Sequence, residues 1–206
     1  MRARFATAAD SFRVRSEDRV VVLRAGEADV VCVADGSGGM SGAANAAEMF
    51  VSGVKRNVDD GNVKLTDAAA WVSLLEALDA EIKRHPFAGE TTGIALAVTA
   101  TAVVGASVGD SRAWLFADSA QELTEEQVRT PRLGTGHAVP KSFAAPAHGR
   151  LVVGTDGLFD HASIDDISAI VRTSQSYDAA DALIGLLRAR FRTLPDDVAV
   201  VIGWLD

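Results

Sequence analysis

Short β-branched runs and longer helical repeats alternate along this chain in an order that sketches a layout. Arg19-Val20-Val21-Val22-Leu23 and Asp29-Val30-Val31-Cys32-Val33 read as strands separated by Ala25-Gly26-Glu27. The second run breaks at Asp35-Gly36-Ser37-Gly38-Gly39, too rich in glycine to continue any element. From about Ser41 to Val58 an alanine-rich helix is predicted, with Ala44, Ala47, Val51 and Val54 on one face. Thr66-Asp67 caps a second helix, in which Trp71, Leu74, Leu75, Leu78 and Ile82 recur at helical spacing up to His85-Pro86.

Thr91 to Gly109 carries no charge, yet its glycines, threonines and serine make it too sparse in apolar residues for a membrane-spanning helix. Two buried strands, Ile94–Val98 and Ala102–Val104, joined by a Thr-Ala-Thr turn fit it better. A strand through Ala113-Trp114-Leu115-Phe116 follows, then a stretch with Pro and Gly from about Thr130 to Gly149. Leu151-Val152-Val153-Gly154 reads as a strand entering Thr155-Asp156-Gly157. Helices are predicted over Ser163–Thr173, opened by the capping box Ser163-Ile164-Asp165-Asp166, and over Asp178–Arg190. Val198–Trp204 is a last strand. Strands in hairpins with helices paired between them predict an α+β fold, and no repeat or linker divides residues 1–206, so a single domain is expected.

Composition narrows the chemistry. At 206 residues and 48% hydrophobic, the chain can bury a full core. Its one cysteine, Cys32, lies inside an apolar strand, which excludes an internal disulfide and a thiolate metal cluster and fits a reducing compartment. The formal charge of −8 argues against nucleic acid and anionic membrane as partners. Met1-Arg2-Ala3-Arg4-Phe5 has no signal-peptide core, and a soluble, cytoplasmic protein is expected.

The acids are not spread evenly. Asp35, Asp110 and Asp156 each follow a buried apolar run, and Asp196-Asp197 immediately precede one. Asp-Gly is also a common turn dipeptide, and Asp60-Gly61, with no strand before it, reads as a plain turn. If the strands lie side by side, the other carboxylates gather at one end of the sheets. Such a group either binds hard divalent cations, Mg²⁺ or Mn²⁺ rather than zinc, or forms a set of solvated turns.

Five segments carry a resemblance. Arg13-Val14-Arg15-Ser16-Glu17-Asp18, Val33-Ala34-Asp35-Gly36-Ser37-Gly38-Gly39, Val108-Gly109-Asp110-Ser111-Arg112, Thr155-Asp156-Gly157-Leu158-Phe159-Asp160 and Asp196-Asp197-Val198-Ala199-Val200-Val201 stand in the order of the metal-dependent protein phosphatases, the type 2C serine/threonine phosphatases. The chain resembles their short bacterial form, and Thr91-Thr92 looks like that family's Gly-Thr-Thr strand start. The resemblance implies a four-layer αββα sandwich of two antiparallel β-sheets flanked by helix pairs. It implies that Asp35 bridges two Mg²⁺ or Mn²⁺ ions, with the Gly36 carbonyl, Asp156 and Asp196 as further ligands. Glu17 and Asp18 would hold bound waters, and Asp110, Asp156 and Asp160 would ligate a possible third ion. Arg13 resembles the arginine that clamps substrate phosphate, making Arg13, Asp35 and Asp156 the catalytic group. The implied reaction is hydrolysis of phosphoserine or phosphothreonine by a metal-bridging hydroxide, without a phosphoenzyme. The implied partner is a phosphorylated protein, the substrate of a serine/threonine kinase, and the implied state is a monomer.

Several residues depart from the family pattern. Met40 stands where the bacterial branch usually carries a histidine, a candidate acid for the leaving alkoxide. Ser16 and Asp197 replace asparagines, and the charge that Asp197 adds beside Asp196 either tightens metal binding or, as the favoured reading, belongs to a neutral solvated acid. Arg15 competes with Arg13, since both alternate onto the face of Glu17, although spacing favours Arg13. The flap that covers the site in relatives is expected to be reduced to Gln127–Gly149. His161 reads as a capping or surface residue, and Trp71 and Trp114 as core. Two alternatives stay open: a phosphatase-like binding or regulatory module with little turnover, and a phosphatase of small metabolites.

Overall fold

The computed structural model describes residues 3–12, 16–36, 42–174 and 177–205. Among these, five strands form one antiparallel sheet in the order β1 (Arg4–Asp10), β10 (Val198–Trp204), β9 (Arg150–Gly154), β6 (Arg112–Phe116) and β7 (Ala120–Glu122). Five more form a second, in the order β2 (Arg19–Ala25), β3 (Ala28–Ala34), β4 (Gly93–Val98), β5 (Ala102–Val108) and β8 (Lys141–Pro146). Helices α1 (Ala43–Asp59) and α2 (Ala68–Arg84) pack on the second sheet. The short α3 (Asp156–Phe159), α4 (Ile164–Thr173) and α5 (Ala179–Arg190) cover the first. This is the α+β sandwich the sequence predicts.

The unbroken apolar runs follow from this layering. A central strand is covered on both faces, so neither set of alternating side chains meets water. On β3, Val30, Cys32 and Ala34 face the α1/α2 layer, while Val31 and Val33 enter the core between the sheets. On β10, Val198, Val200, Ile202 and Trp204 pack against the other helices and Val201 points between the sheets. Small residues at the helix contacts, Ala95 and Ala97 of β4 and Ala46 and Ala47 of α1, join this packing with little side-chain bulk. Cys32 is completely buried, which pushes its thiol up and leaves it inert.

Capping agrees with the sequence reading. The Asp67 side chain accepts from the Ala69 N–H at the start of α2, and Ser163 accepts from Asp166 N–H at the start of α4. Gly61, at φ +70°, turns the chain after α1, so Asp60-Gly61 is a turn. Trp71 is fully buried and its indole donates to the Leu65 carbonyl at 3.0 Å; Trp114 is only half-buried.

Residues 127–149 are only in part the irregular segment expected from the sequence. Lys141–Pro146 is the fifth strand of the second sheet, registered on β5 from Ala102↔Pro146 to Ser107↔Lys141. The segment before it is tied down by Asp79, a buried acid on the inner side of α2. Its carboxylate accepts from the N–H groups of Gly134 (2.7 Å), Gly136 (2.9 Å) and Ala138 (3.0 Å). Leu133 completes the anchor by exchanging two backbone hydrogen bonds with Thr91, both 3.0 Å. Asp79→Ala strands three donors, and urea unfolding is expected to show a loss of ~2–3 kcal/mol at unchanged m-value. A loss below ~0.5 kcal/mol would show that this anchor is not structural.

Candidate metal centre

Antiparallel pairing brings the acids together. Arg19 sits opposite Ala34, Gly93 opposite Val108, and Gly154 opposite both Val200 and Arg112. The ends of β3, β5 and β9 therefore lie beside the beginnings of β2, β4, β6 and β10, and the acids that border these strands meet at one end of the two sheets.

Asp35 is the most firmly held. Its N–H donates to the Thr92 hydroxyl at 3.0 Å, and its carbonyl accepts from the Thr92 N–H (2.9 Å) and the Thr91 hydroxyl (2.8 Å). The Thr92 hydroxyl is in turn 2.7 Å from that of Ser111, the neighbour of Asp110. The paired threonines thus fix the backbone that aims the Asp35 carboxylate. Gly36 leaves no room for a side chain: a Cβ would lie 2.8 Å from the Ala43 carbonyl, where α1 starts. Gly157 is tighter still, since its Cβ would lie 2.0 Å from the Asp197 carbonyl oxygen, and this contact seats Asp156 against the start of β10.

Oxygens of Asp35, Asp110 and Asp156 all lie within 4.8 Å of one another. Asp18 stands beside them, only 5% exposed. Among the described residues neither of its carboxylate oxygens has a hydrogen-bond partner, although the nearby Thr155 hydroxyl and Asp35 pull its titration down. Asp110 Oδ1 is likewise buried and unpartnered. Burial raises Asp18, and the charges of Asp197 and Asp156 add to it. Burial also raises Asp35, reinforced by Asp18, Asp156 and Asp110. Asp156 is pushed up to about 6 by burial and by Asp110, Asp196 and Asp160, with Arg129 pulling the other way.

Oxygen-only donors, orphaned buried carboxylate atoms and crowding that disfavours ionisation are what a site for hard divalent cations requires. The residues present fit such ions. Asp196 is exposed, accepts from the Asp197 N–H at 2.9 Å, and lies close enough to act on Asp156. Glu17 is half-buried, and its carbonyl accepts from Gly36 N–H at 3.3 Å. Asp160 pairs with Arg112 at 2.9 Å. Arg13, Arg15 and Met40 lie outside the described residues. His161 is half-buried and packs edge-on against Phe191, with ring centroids 5.6 Å apart.

The sequence reading of Asp197 as a solvated acid is corrected. It is 7% exposed, and its two oxygens accept from the N–H groups of Phe12 and Glu17, each at 2.8 Å. A carboxylate can accept on both oxygens where an amide offers one, so Asp197 ties β10 to both flanks of residues 13–15. Ser16 also acts locally, its hydroxyl accepting from the Asp18 N–H at 3.1 Å. Sequence reasoning missed Arg19, whose guanidinium donates to the Ser16 and Asp18 carbonyls at 2.9 and 2.8 Å and braces Glu17-Asp18. It also missed Arg129 and Arg132, both paired with Asp110.

No protein-family model matches the chain, and no curated protein sequence does. Solved structures do. The serine/threonine phosphatase Stp1 from Staphylococcus aureus superposes with a TM-score of 0.84 at 18% identity, covering 99% of this chain and 94% of its own. The Mycobacterium tuberculosis phosphatase PstP/Ppp gives 0.80 at 23% identity over 100% of both chains. The chain has the fold of the bacterial serine/threonine phosphatases. The PstP catalytic domain in complex with two manganese ions is similar at a TM-score of 0.80 and 22% identity, over 98% of this chain and 97% of that one. At these identities the likeness concerns the fold. The chemistry rests on the acids themselves.

Those acids set a pH dependence. An unfolded aspartate titrates near ~3.9, whereas the folded, metal-free chain holds protons on Asp156, Asp18 and Asp35 to higher pH. The folded state then binds more protons than the unfolded one, so the stability these groups contribute is full below about pH 4 and is lost as pH rises through about 6 for Asp156 and at higher pH for Asp18 and Asp35. In chelator, the chain is expected to melt at lower temperature at about pH 8 than at about pH 5.5, and Asp35→Asn to flatten that slope. A melting temperature that climbs across the interval would refute the charge-crowding account.

Proposed function

We propose that this chain is a metal-dependent phosphatase that hydrolyses phosphoserine and phosphothreonine in proteins. The observation that carries the reading is the buried, partly unpartnered carboxylate cluster, set at one end of a sandwich whose fold is shared over its full length with phosphatases. Asp35 would bridge two ions, with Gly36 through its carbonyl, Asp156 and Asp196 completing their ligands and Glu17 and Asp18 acting through water. Bound Mg²⁺ or Mn²⁺ would supply a water acidified to hydroxide near neutral pH and positive charge for the phosphoryl oxygens.

The chain contributes the rest. Thr91 and Thr92 keep Asp35 from moving when its charge is engaged. Asp197 and Arg19 hold Glu17-Asp18 and the flanks of the segment that carries Arg13. Arg13, placed by resemblance, would grip two phosphate oxygens through its planar fork, which a lysine would not match. Cys32 is buried in β3 and unsuited to act as a nucleophile, in accord with direct attack by water. With Met40 where relatives carry histidine, the leaving alkoxide takes its proton from water. The missing acid is worth ~10²–10⁴ in rate, which predicts a slow enzyme.

Asp156→Asn is expected to lower Mn²⁺-dependent hydrolysis of p-nitrophenyl phosphate by about 10²-fold or more, and unchanged turnover would sink the metal assignment. Arg13→Ala should raise KM for a phosphopeptide about tenfold or more, while Arg15→Ala leaves it near wild type. Calorimetry that finds Mn²⁺ binding without turnover on any phosphate ester would point to a binding module instead. Turnover of a panel of phosphorylated metabolites in preference to phosphopeptides would point to a small-molecule phosphatase.

A further inference from the structure

We infer that Arg129 and Arg132 are built-in counter-ions for Asp110, so that this chain takes two divalent ions at its carboxylate cluster and no third. The inference rests on the metal reading above and concerns the flank formed by Asp110 and Asp160.

The pairing is close. Arg129 Nε lies 2.5 Å and Arg132 Nη2 3.2 Å from Asp110 Oδ2, and Arg129 Nη2 is 3.9 Å from Asp156 Oδ2. Arg112 serves Asp160 in the same way at 2.9 Å, with its guanidinium 5.9 Å from the Phe159 ring centre. Each carboxylate on this flank therefore already faces a cation. Among the described residues Asp18 has no such partner, and the charges that raise it are those of Asp197 and Asp156.

These contacts belong to the fold. The Arg129–Arg132 segment is fixed on both sides. Gln127 donates to the Ser111 carbonyl at 2.6 Å, beside Asp110 itself. Leu133, next to Arg132, exchanges hydrogen bonds with Thr91, whose hydroxyl binds the Asp35 carbonyl. Asp79 then holds the following turn by its three backbone N–H contacts. The two guanidinium groups are thus delivered to Asp110 by the same framework that positions Asp35.

A guanidinium does part of what a cation does and blocks the rest. It stays charged at any pH the protein survives and neutralises its carboxylate through directed N–H donors. Here both guanidinium groups take up Asp110 Oδ2, so only Oδ1 is left to a metal, and their charge repels an approaching dication. A third ion would have to expel two tethered arginines from Asp110, whereas ions at Asp35 and Asp156 meet carboxylates that still need positive charge.

Counting bound metal tests this. The chain is dialysed against excess Mn²⁺ and the metal per chain is measured directly, with calorimetry alongside. Wild type is expected to saturate at two ions. Arg129→Met, at a side chain 66% exposed and hence tolerant of replacement, is expected to admit a third and weaker one, as is the Arg129→Met/Arg132→Met double variant. Circular dichroism confirms that each variant is folded, and the single variant decides the matter if the double one is not. Three ions in wild type, or two in Arg129→Met, would overturn the inference while leaving the metal reading standing. No bound Mn²⁺ at all would overturn both.

Discussion

Repulsion among buried carboxylates is the constraint around which this molecule is arranged. Aspartates from β3, β5 and β9 are forced together by antiparallel register, in a place where water cannot screen them. Left alone, such a cluster spends folding free energy, either as desolvated charge or as carboxyl groups held protonated against their usual range. A fold keeps such a feature only if its framework is rigid enough that the acids cannot swing away. Both sheets, covered on each face, supply that rigidity.

The local framework can be traced atom by atom. Thr91 and Thr92 close three hydrogen bonds on the Asp35 backbone, and Gly36 and Gly157 permit contacts that a single methyl group would block. Asp197 joins the start of β10 to the chain on both sides of residues 13–15. These devices hold backbone and leave both carboxylate oxygens of Asp18 and one of Asp110 without hydrogen-bond partners among the described residues. That division, backbone satisfied and side-chain oxygens open, separates a ligand set from an ordinary salt-bridge network.

Much of this was legible in the sequence where a local pattern carries it. Doubly buried strands such as Val30–Ala34 and Val198–Trp204 announce themselves by unbroken apolar runs, and Asp67 and Ser163 by their place before helices. The acids at strand ends could be singled out for the same reason. Edge strands could not. β1 has few large apolar residues, and β8 buries only Ala145, because an edge strand with an open face leaves a weak signature. Asp79, Asp197, Arg129 and Arg132 were missed or misread for a different reason. Their meaning lies in partners 19 to 185 positions away, and a lone acid or arginine has the same local sequence whether it faces water or a buried backbone amide.

Charge balance then separates the two flanks of the cluster. Asp110 and Asp160 are opposed by arginines, so removing metal would not strip that side of positive charge, and neither would raising the pH, since a guanidinium stays protonated. Among the described residues, Asp18, Asp35 and Asp156 have one distant arginine contact, Arg129 to Asp156 at 3.9 Å, and all three are raised by burial and by neighbouring acids. The need for cations is therefore local, and so is the acidic excess of the chain as a whole. Where arginine already answers the charge, a metal adds little. Where only other acids answer it, a divalent ion relieves desolvation and repulsion at once, and that is the side on which Asp35 is held most rigidly.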